Sequence, residues 1–293
     1  MSLKISPENL PFRLKYAPEY WDYVTRFAKW YGEPFKNTDD LSKGLSTITG
    51  HRDKFQTLAE QANRLVPEIV QERNLFDEQG YSNGNKAREF TCTIETLICE
   101  LYSCLDGLRT SIHSIYRDVQ GVQKKSTEKL FRKAAEEKYG DGFPSEINTF
   151  LKTAYENWYL DLRRIRVELT HGRVGSCSMQ DDQKISYIHQ GLGSQERAFV
   201  IDDIIDWVNR HENHVNLLLN TICKFWFEQL EPREVLEPCG LYQGRGLVRA
   251  IEITEPINQD SGLCGFRHAF EEEPGWACPL RHTCGAYERV GSN

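Results

Sequence analysis

Two groups of side chains in this sequence are of types that do chemistry. The first is Arg163, Arg164 and Arg166 followed by His171, in the run Leu162-Arg-Arg-Ile-Arg-Val-Glu-Leu-Thr-His-Gly172. A guanidinium holds a phosphate through paired hydrogen bonds, and an imidazole titrating near neutrality moves a proton to or from a ribose hydroxyl or a leaving group. Together they suffice for RNA cleavage without a metal. The ribose 2′-OH attacks the adjacent phosphate, His171 acts as base or acid, and Arg166 or Arg164 stabilises charge on the phosphoryl oxygens. At about 100° per residue, Arg164 and His171 lie roughly 20° apart on a helix, whereas Arg166 and His171 lie roughly 140° apart and meet only if the helix end frays. The competing reading is that these residues cap a helix and pair with Glu168 or neighbouring carboxylates.

The second group is Cys239, Cys264, Cys278 and Cys284, four of the nine cysteines, all in the last part of the chain. Thiolates bind zinc or iron–sulfur clusters because soft sulfur suits those metals, and four ligands close a structural site. No short Cys-x-x-Cys knuckle is present, and five residues separate Cys278 from Cys284. His268 or His282 could replace a cysteine around zinc, whereas a cluster would use all four thiolates. Residues 232–293 carry little periodic apolar sequence, so a structural zinc, or alternatively an iron–sulfur cluster, would supply missing folding energy. Free thiols in a loop-rich tail are the other reading. Cys92, Cys99 and Cys104 fall on a helix and read as small buried or half-buried residues, while His211 and His214, three apart on another helix, read as packing or surface positions.

The elements that position these groups are helical. From Phe90, the residues Ile94, Leu97, Leu101, Leu105, Leu108, Ile112 and Ile115 follow steps of three and four and predict one long amphipathic helix. After the Tyr139-Gly-Asp-Gly-Phe-Pro144 break, Ile147, Leu151, Ala154, Trp158, Leu162, Ile165 and Leu169 repeat those steps up to His171, and two such stripes predict an antiparallel helical core. Gly172 and Gly175 are expected to stop that helix by accepting a left-handed turn. Residues 185–188 and 197–201, around a Gly-Leu-Gly-Ser turn, predict a β-hairpin. A closing helix, capped by Asp202 or Asp203, carries Ile204, Val208, His211, Val215, Leu218, Ile222 and Phe225 as far as Leu230. Upstream, residues 18–31, with Tyr20, Trp21, Phe27 and Trp30, and residues 52–66, ending or kinking at Pro67, predict shorter helices. The expected fold is mainly α: an antiparallel helical bundle with a small β-hairpin insertion and a loop-rich C-terminal tail. The expected divisions are a lead-in over 1–80, the bundle over 81–231, and the cysteine-rich tail over 232–293.

A hydrophobic fraction of 39% and a charged fraction of 27% are those of an ordinary globular protein. The net charge of −7 gives no global attraction for nucleic acid, so such binding requires a local basic patch. Arg163 to Arg173 offers one; Lys124, Lys125, Lys129, Arg132 and Lys133 form another, read as a solvated face beside Glu128, Glu136 and Glu137. No segment has the roughly 18 uninterrupted apolar residues of a membrane helix, and the opening residues lack the apolar run of a signal peptide, so the expectation is a cytoplasmic protein with no membrane partner. In that reducing compartment the odd number of cysteines argues against disulfides.

The segment Arg166-Val-Glu-Leu-Thr-His171-Gly172, on a helix of an all-α bundle, resembles the signature of the HEPN superfamily: an Arg, four to six residues, then His, often followed by Gly. The order of long helix, motif-bearing helix, small hairpin and closing helix is similar to some HEPN branches, over about residues 84–230. The resemblance implies a homodimer in which two motifs form one cleft. It also implies a metal-independent endoribonuclease acting in prokaryotic defence or stress, with RNA as substrate and an antitoxin or defence protein as partner. Its ribonucleases usually carry a polar residue, often Asn, directly after the Arg. Here that position is Val167, which keeps open a non-catalytic module that binds RNA, nucleotide or protein.

Overall fold

The computed structural model of the protein describes residues 21–32, 34–35, 38–193, 197–242, 245–272 and 277–290; Tyr20 and Ser194, which entered the expectations above, lie outside them. In chain order the elements are α1 (Tyr23–Trp30), α2 (Asp39–Gln79), α3 (Asn85–Ile115), α4 (Thr127–Ala135), α5 (Ser145–Ala154), a π-helical turn (Tyr155–Tyr159) and α6 (Leu160–His171). Then come β1 (Ser176–Met179), β2 (Ile185–His189), β3 (Phe199–Ile201), α7 (Ile204–Phe227), β4 (Glu234–Tyr242), β5 (Arg245–Glu252), β6 (Leu263–Cys264), α8 (Arg267–Glu272) and α9 (Gly285–Arg289). The fold is mainly α with two small antiparallel sheets, β1-β2-β3 and β4-β5-β6. None of the described helices is long and apolar enough to cross a membrane.

The chain divides into two compact units, residues 37–222 and residues 1–36 together with 223–293. In the first unit the expected short helix over 52–66 is part of the 41-residue α2, which runs through Pro67. Pro67 is exposed, so the backbone bond it forgoes faces water, while Ala62, Leu65 and Ile69 keep the buried stripe continuous on the other side. Gly80 and Gly84, both at positive φ, turn the chain back into α3. The α3 stripe is buried from Ile94 to Ile112, and α2 is its main partner. Gly44 and Gly107 let the two backbones approach: a Cβ on Gly107 would stand 2.8 Å from the Gly44 carbonyl oxygen. Toward the middle of the pair the buried Glu100 receives His51 and, at 2.6 Å, Lys54.

The second stripe is also buried from Ile147 to Ile165, but it is not one regular helix: the π-turn inserts at Tyr155–Tyr159. Its last residue, Tyr159, stacks on Phe131 at 4.0 Å and shares a 3.1 Å hydrogen bond with the Tyr102 hydroxyl. The hairpin exists as β2 and β3, with β1 added on the other edge of β2 in the register Cys177↔Tyr187. Asp203 caps α7 by accepting from the Asp206 amide at 3.0 Å.

In the second unit, α1 belongs with the tail. Arg26, 2% exposed, donates to the Ile253 carbonyl at 2.8 Å, and its Nε lies 3.5 Å from Glu237 of β4. Lys29 and Trp30 donate to the same carboxylate at 3.1 and 2.5 Å. Phe27 packs between Trp226 and Phe35. The tail also contains a small sheet, in which β4 pairs with β5 and β5 with β6. Between Pro238 and Gly240 the register slips, leaving Cys239 opposite no residue of β5, as in a β-bulge.

The approach of α2 to α3 predicts opposite signs for two like substitutions. Gly107→Ala drives a methyl into backbone atoms of Gly44 and Ile48 that cannot yield, and should lower stability by about 1–3 kcal/mol. Gly50→Ala, on the same helix pair with open space around it, should raise stability by about 0.5–1 kcal/mol. Urea denaturation followed by circular dichroism reads both; equal effects would refute the close-packing account.

Candidate functional site

The sequence-predicted arginines and histidine lie along α6, each with its own surroundings. Arg164 donates Nη2 to the Leu192 carbonyl and places its guanidinium 5.2 Å from the Phe199 ring, holding the β2–β3 connection. Arg166 lies on the α3 side, its guanidinium 4.8 Å from the centre of the half-facing Tyr102 ring. It also sits near Cys99, whose thiol is pushed up by burial with the Arg166 charge opposing. His171, the last residue of α6, is exposed. The chain presents an accessible imidazole at 171 and, at 166, a guanidinium seated on an aromatic ring.

The glycines after His171 are needed for space, not for a left-handed turn. Gly172 has φ −120°, and a Cβ there would collide with the Glu168 carboxylate, as would a Cβ on Gly191. Glu168 thus sits between the helix end and the β2–β3 turn, accepting the Arg173 amide at 3.3 Å. At Gly175 the added atom would strike the Tyr187 ring. Sequence reasoning missed the groups that fix this exit. Glu95 of α3 accepts from the Gly175 amide at 2.6 Å and from the Tyr187 hydroxyl at 2.9 Å. The fully buried His189 joins the Arg173 carbonyl at 2.7 Å through Nε2 and accepts from the Leu192 amide at 3.3 Å through Nδ1, which fixes the Nε2–H tautomer.

In the tail, all four predicted cysteines line one cavity, with Leu247, Phe270, Leu280 and Tyr287 as its apolar wall and Arg249 as its charged one. Cys239 reaches it from the bulge of β4, Cys264 from the end of β6, and Cys278 and Cys284 from the segment before α9. Burial pushes the Cys239 thiol up to about 11 and raises Cys264 and Cys278 as well. Arg249, 3% exposed, was not anticipated. Its Nη1 donates to the carbonyls of Asn258, Gln259 and Ser261 at 2.7, 3.1 and 2.9 Å, and its Nη2 reaches the Cys284 sulfur at 3.8 Å. Neither His268 nor His282 lines the cavity.

Other candidates are accounted for by packing. His211 is buried, with Nδ1–H donating to the Trp207 carbonyl at 2.9 Å and its ring 3.7 Å from that indole, while His214 stacks on Trp158. Cys104 is buried and Cys99 half-buried as expected, but Cys92 is exposed. In the first basic patch, Lys124 pairs with Asp40 at 2.7 Å, Arg132 with Glu128 at 3.1 Å, and Lys133 donates to the Gly121 carbonyl, so three of its charges are engaged. Comparison with protein-family models, with curated proteins and with solved structures returns no match.

Gly175→Ala drives a methyl into the buried Tyr187 ring and should cost about 1–3 kcal/mol, whereas Gly172→Ala meets only the movable carboxylate of Glu168 and should cost less. Thermal melts in which the two substitutions cost the same would contradict this steric account. His211 supplies a pH test. Burial, the largest cause, holds its pKa below the ordinary 6.5, with nearby His214 and Arg210 lowering and the Trp207 carbonyl and Asp161 raising it. The unfolded chain therefore binds this proton first, and stability falls as pH drops through 6.5 toward the folded value. His211→Phe should flatten that decline between neutral and mildly acidic pH; a urea midpoint with unchanged pH slope would exclude the histidine as its source.

Proposed function

We propose that the helical unit is an HEPN-like module that engages RNA at the carboxyl end of α6 and cleaves it without a metal, in prokaryotic defence or stress. The observation that supports this reading is the exposed His171 at the last residue of α6, which leaves an imidazole open to solvent at the carboxyl end of the motif-bearing helix. In this reading His171 moves the proton of the 2′-OH or the leaving oxygen, and Arg166 stabilises charge on the phosphate. Arg164 holds the β2–β3 connection and acts by positioning. Because Arg166 is seated on Tyr102, the complete centre requires a second copy whose α6 end faces the first. The cleavage step transfers the 2′ proton to His171, forms a bond from O2′ to phosphorus and expels O5′, leaving a cyclic phosphate.

One observation favours a second reading, a non-catalytic binding module with the same fold: Val167 offers no polar group beside Arg166. Incubating wild type and His171→Ala with mixed RNA in the presence of chelator separates the two. The first reading expects wild type to leave cyclic-phosphate ends and His171→Ala to lose about 10²–10⁴-fold in rate. Equal inertness with retained RNA binding supports the second, and cleavage unchanged in His171→Ala removes this residue from the mechanism. A wild type that stays monomeric at working concentration while cleaving would exclude the two-copy centre.

A further inference from the structure

We infer that Cys239, Cys264, Cys278 and Cys284 together hold one thiophilic divalent cation of the zinc(II) or iron(II) kind, which ties the short elements of the tail to its sheet. These are all the cysteines that follow α7, and each is a free thiol. They arrive from the bulge of β4, the end of β6 and the segment before α9, yet all four line one cavity. Local structure bends to bring them there. The register slip between Pro238 and Gly240 re-aims Cys239, as bulges do beside functional sites. Beyond α8, the Arg281 amide donates to the Cys278 carbonyl at 3.1 Å and the Thr283 amide to the Leu280 carbonyl at 2.9 Å. These turns fold residues 278–284 back, so that Cys278 and Cys284 return to the same cavity.

The size of the cavity limits what the four thiols can share. It measures about 20 Å³, room for one water-sized occupant. A single ion fits that space, whereas a body of several irons and bridging sulfides does not. Leu247, Phe270 and Leu280 in its wall offer a water none of the two to four polar partners it needs. Soft sulfur suits a borderline-soft cation instead, and four thiolates close a tetrahedral shell with no open position, the arrangement of a structural centre. Loading is an exchange of protons for metal: each thiol releases its proton to solvent and forms one sulfur–metal bond, leaving the centre net negative. The Arg249 guanidinium, whose Nη2 lies 3.8 Å from the Cys284 sulfur, stands beside that charge.

The tail also has need of such a link. β6 is two residues long, α8 six and α9 five, lengths that do not hold their conformation alone. The apolar cluster around the cavity rests on three buried residues, Leu247, Phe270 and Cys278. An ion bonded to β4, β6 and the 278–284 turns joins these pieces, and its binding free energy becomes folding free energy. As the side chains stand, no three cysteine, histidine or carboxylate groups among the described residues are gathered tightly enough to hold an ion. Loading therefore draws the sulfurs inward, to about 2.3 Å from a common point. The segments that yield most readily are β6, paired with β5 at two positions, and the turns outside the sheet, while β4 stays fixed along its ladder with β5.

The test is elemental and spectroscopic on the full chain, purified without oxygen from cells supplied with both zinc and iron. The expected result is about one metal ion per chain without acid-labile sulfide, and whether that ion is zinc or iron identifies it. Cobalt(II) exchanged into the purified protein should saturate at about one equivalent, with the intense visible bands of a tetrahedral ion and a near-ultraviolet sulfur-to-metal band. Several irons with matching sulfide, or no metal retained and a weak octahedral cobalt spectrum, would overturn the proposal. Cys264→Ser and Cys278→Ser should each lower retained metal by at least roughly tenfold, the scale on which weakening even an outer partner lowers metal affinity. Cys92→Ser, exposed on α3, and His282→Ala, outside the cavity, should leave it unchanged. If either tail variant fails to fold, the metal content and cobalt spectrum of the wild type still decide.

Discussion

The distance of closest approach between α2 and α3 governs the helical unit. Two long helices can bury continuous stripes against each other only if their backbones come near, and at Gly44 and Gly107 they come near enough that neither position has room for a side chain. The rest of the unit is hung on α3. Its far surface receives Arg166 over Tyr102, and its Glu95 takes the amide and hydroxyl that lead the chain from α6 into the sheet. A shift of α3 would therefore displace the end of α6 as well, because the same helix carries both sets of contacts.

At that end, polar groups are arranged to hold backbone. His189, Glu95 and Glu168 each satisfy a main-chain amide or carbonyl between Arg173 and Leu192, and Arg164 satisfies another. Such a turn cannot carry orphaned amides in its interior, so its polar side chains are spent locally. His171 stands outside this set and remains open to solvent. The contrast between an imidazole that is fully engaged at 189 and one that is exposed at 171 distinguishes a structural histidine from a candidate for chemistry.

Much of the helical architecture was legible in the sequence because hydrophobic residues recur with the helical period on α3, α5, α6 and α7, and each stripe is buried. What escaped follows from specific physical exceptions. Pro67 reads as a helix end, yet it lies on the wet side of α2. The π-turn inserts without interrupting the apolar pattern, so nothing in the spacing announces it. The sheet of the tail was hidden because its inward positions include Glu237 in β4 and Arg249 in β5, between Val235, Leu247 and Ile251, and the bulge at Cys239 then breaks the alternation. For the candidate sites, residue types and helix placement were readable, and the four cysteines singled out in the tail line one cavity. Partner groups from distant segments, such as Arg249 and His189, were not, since no local period marks a side chain whose role is set by a loop elsewhere.

The joining of α1 to β4 and to the segment after β5 has a temporal consequence. Arg26 and Trp30 find their partners more than 200 positions further along the chain, across the whole helical unit. During synthesis from the amino terminus, residues 37–222 can collapse on contacts internal to themselves, whereas Arg26 and Trp30 of α1 must wait for their partners until β4 and the segment after β5 have been made. The interval between those events is when this protein is most open to capture by a chaperone or to association with its own nascent copies.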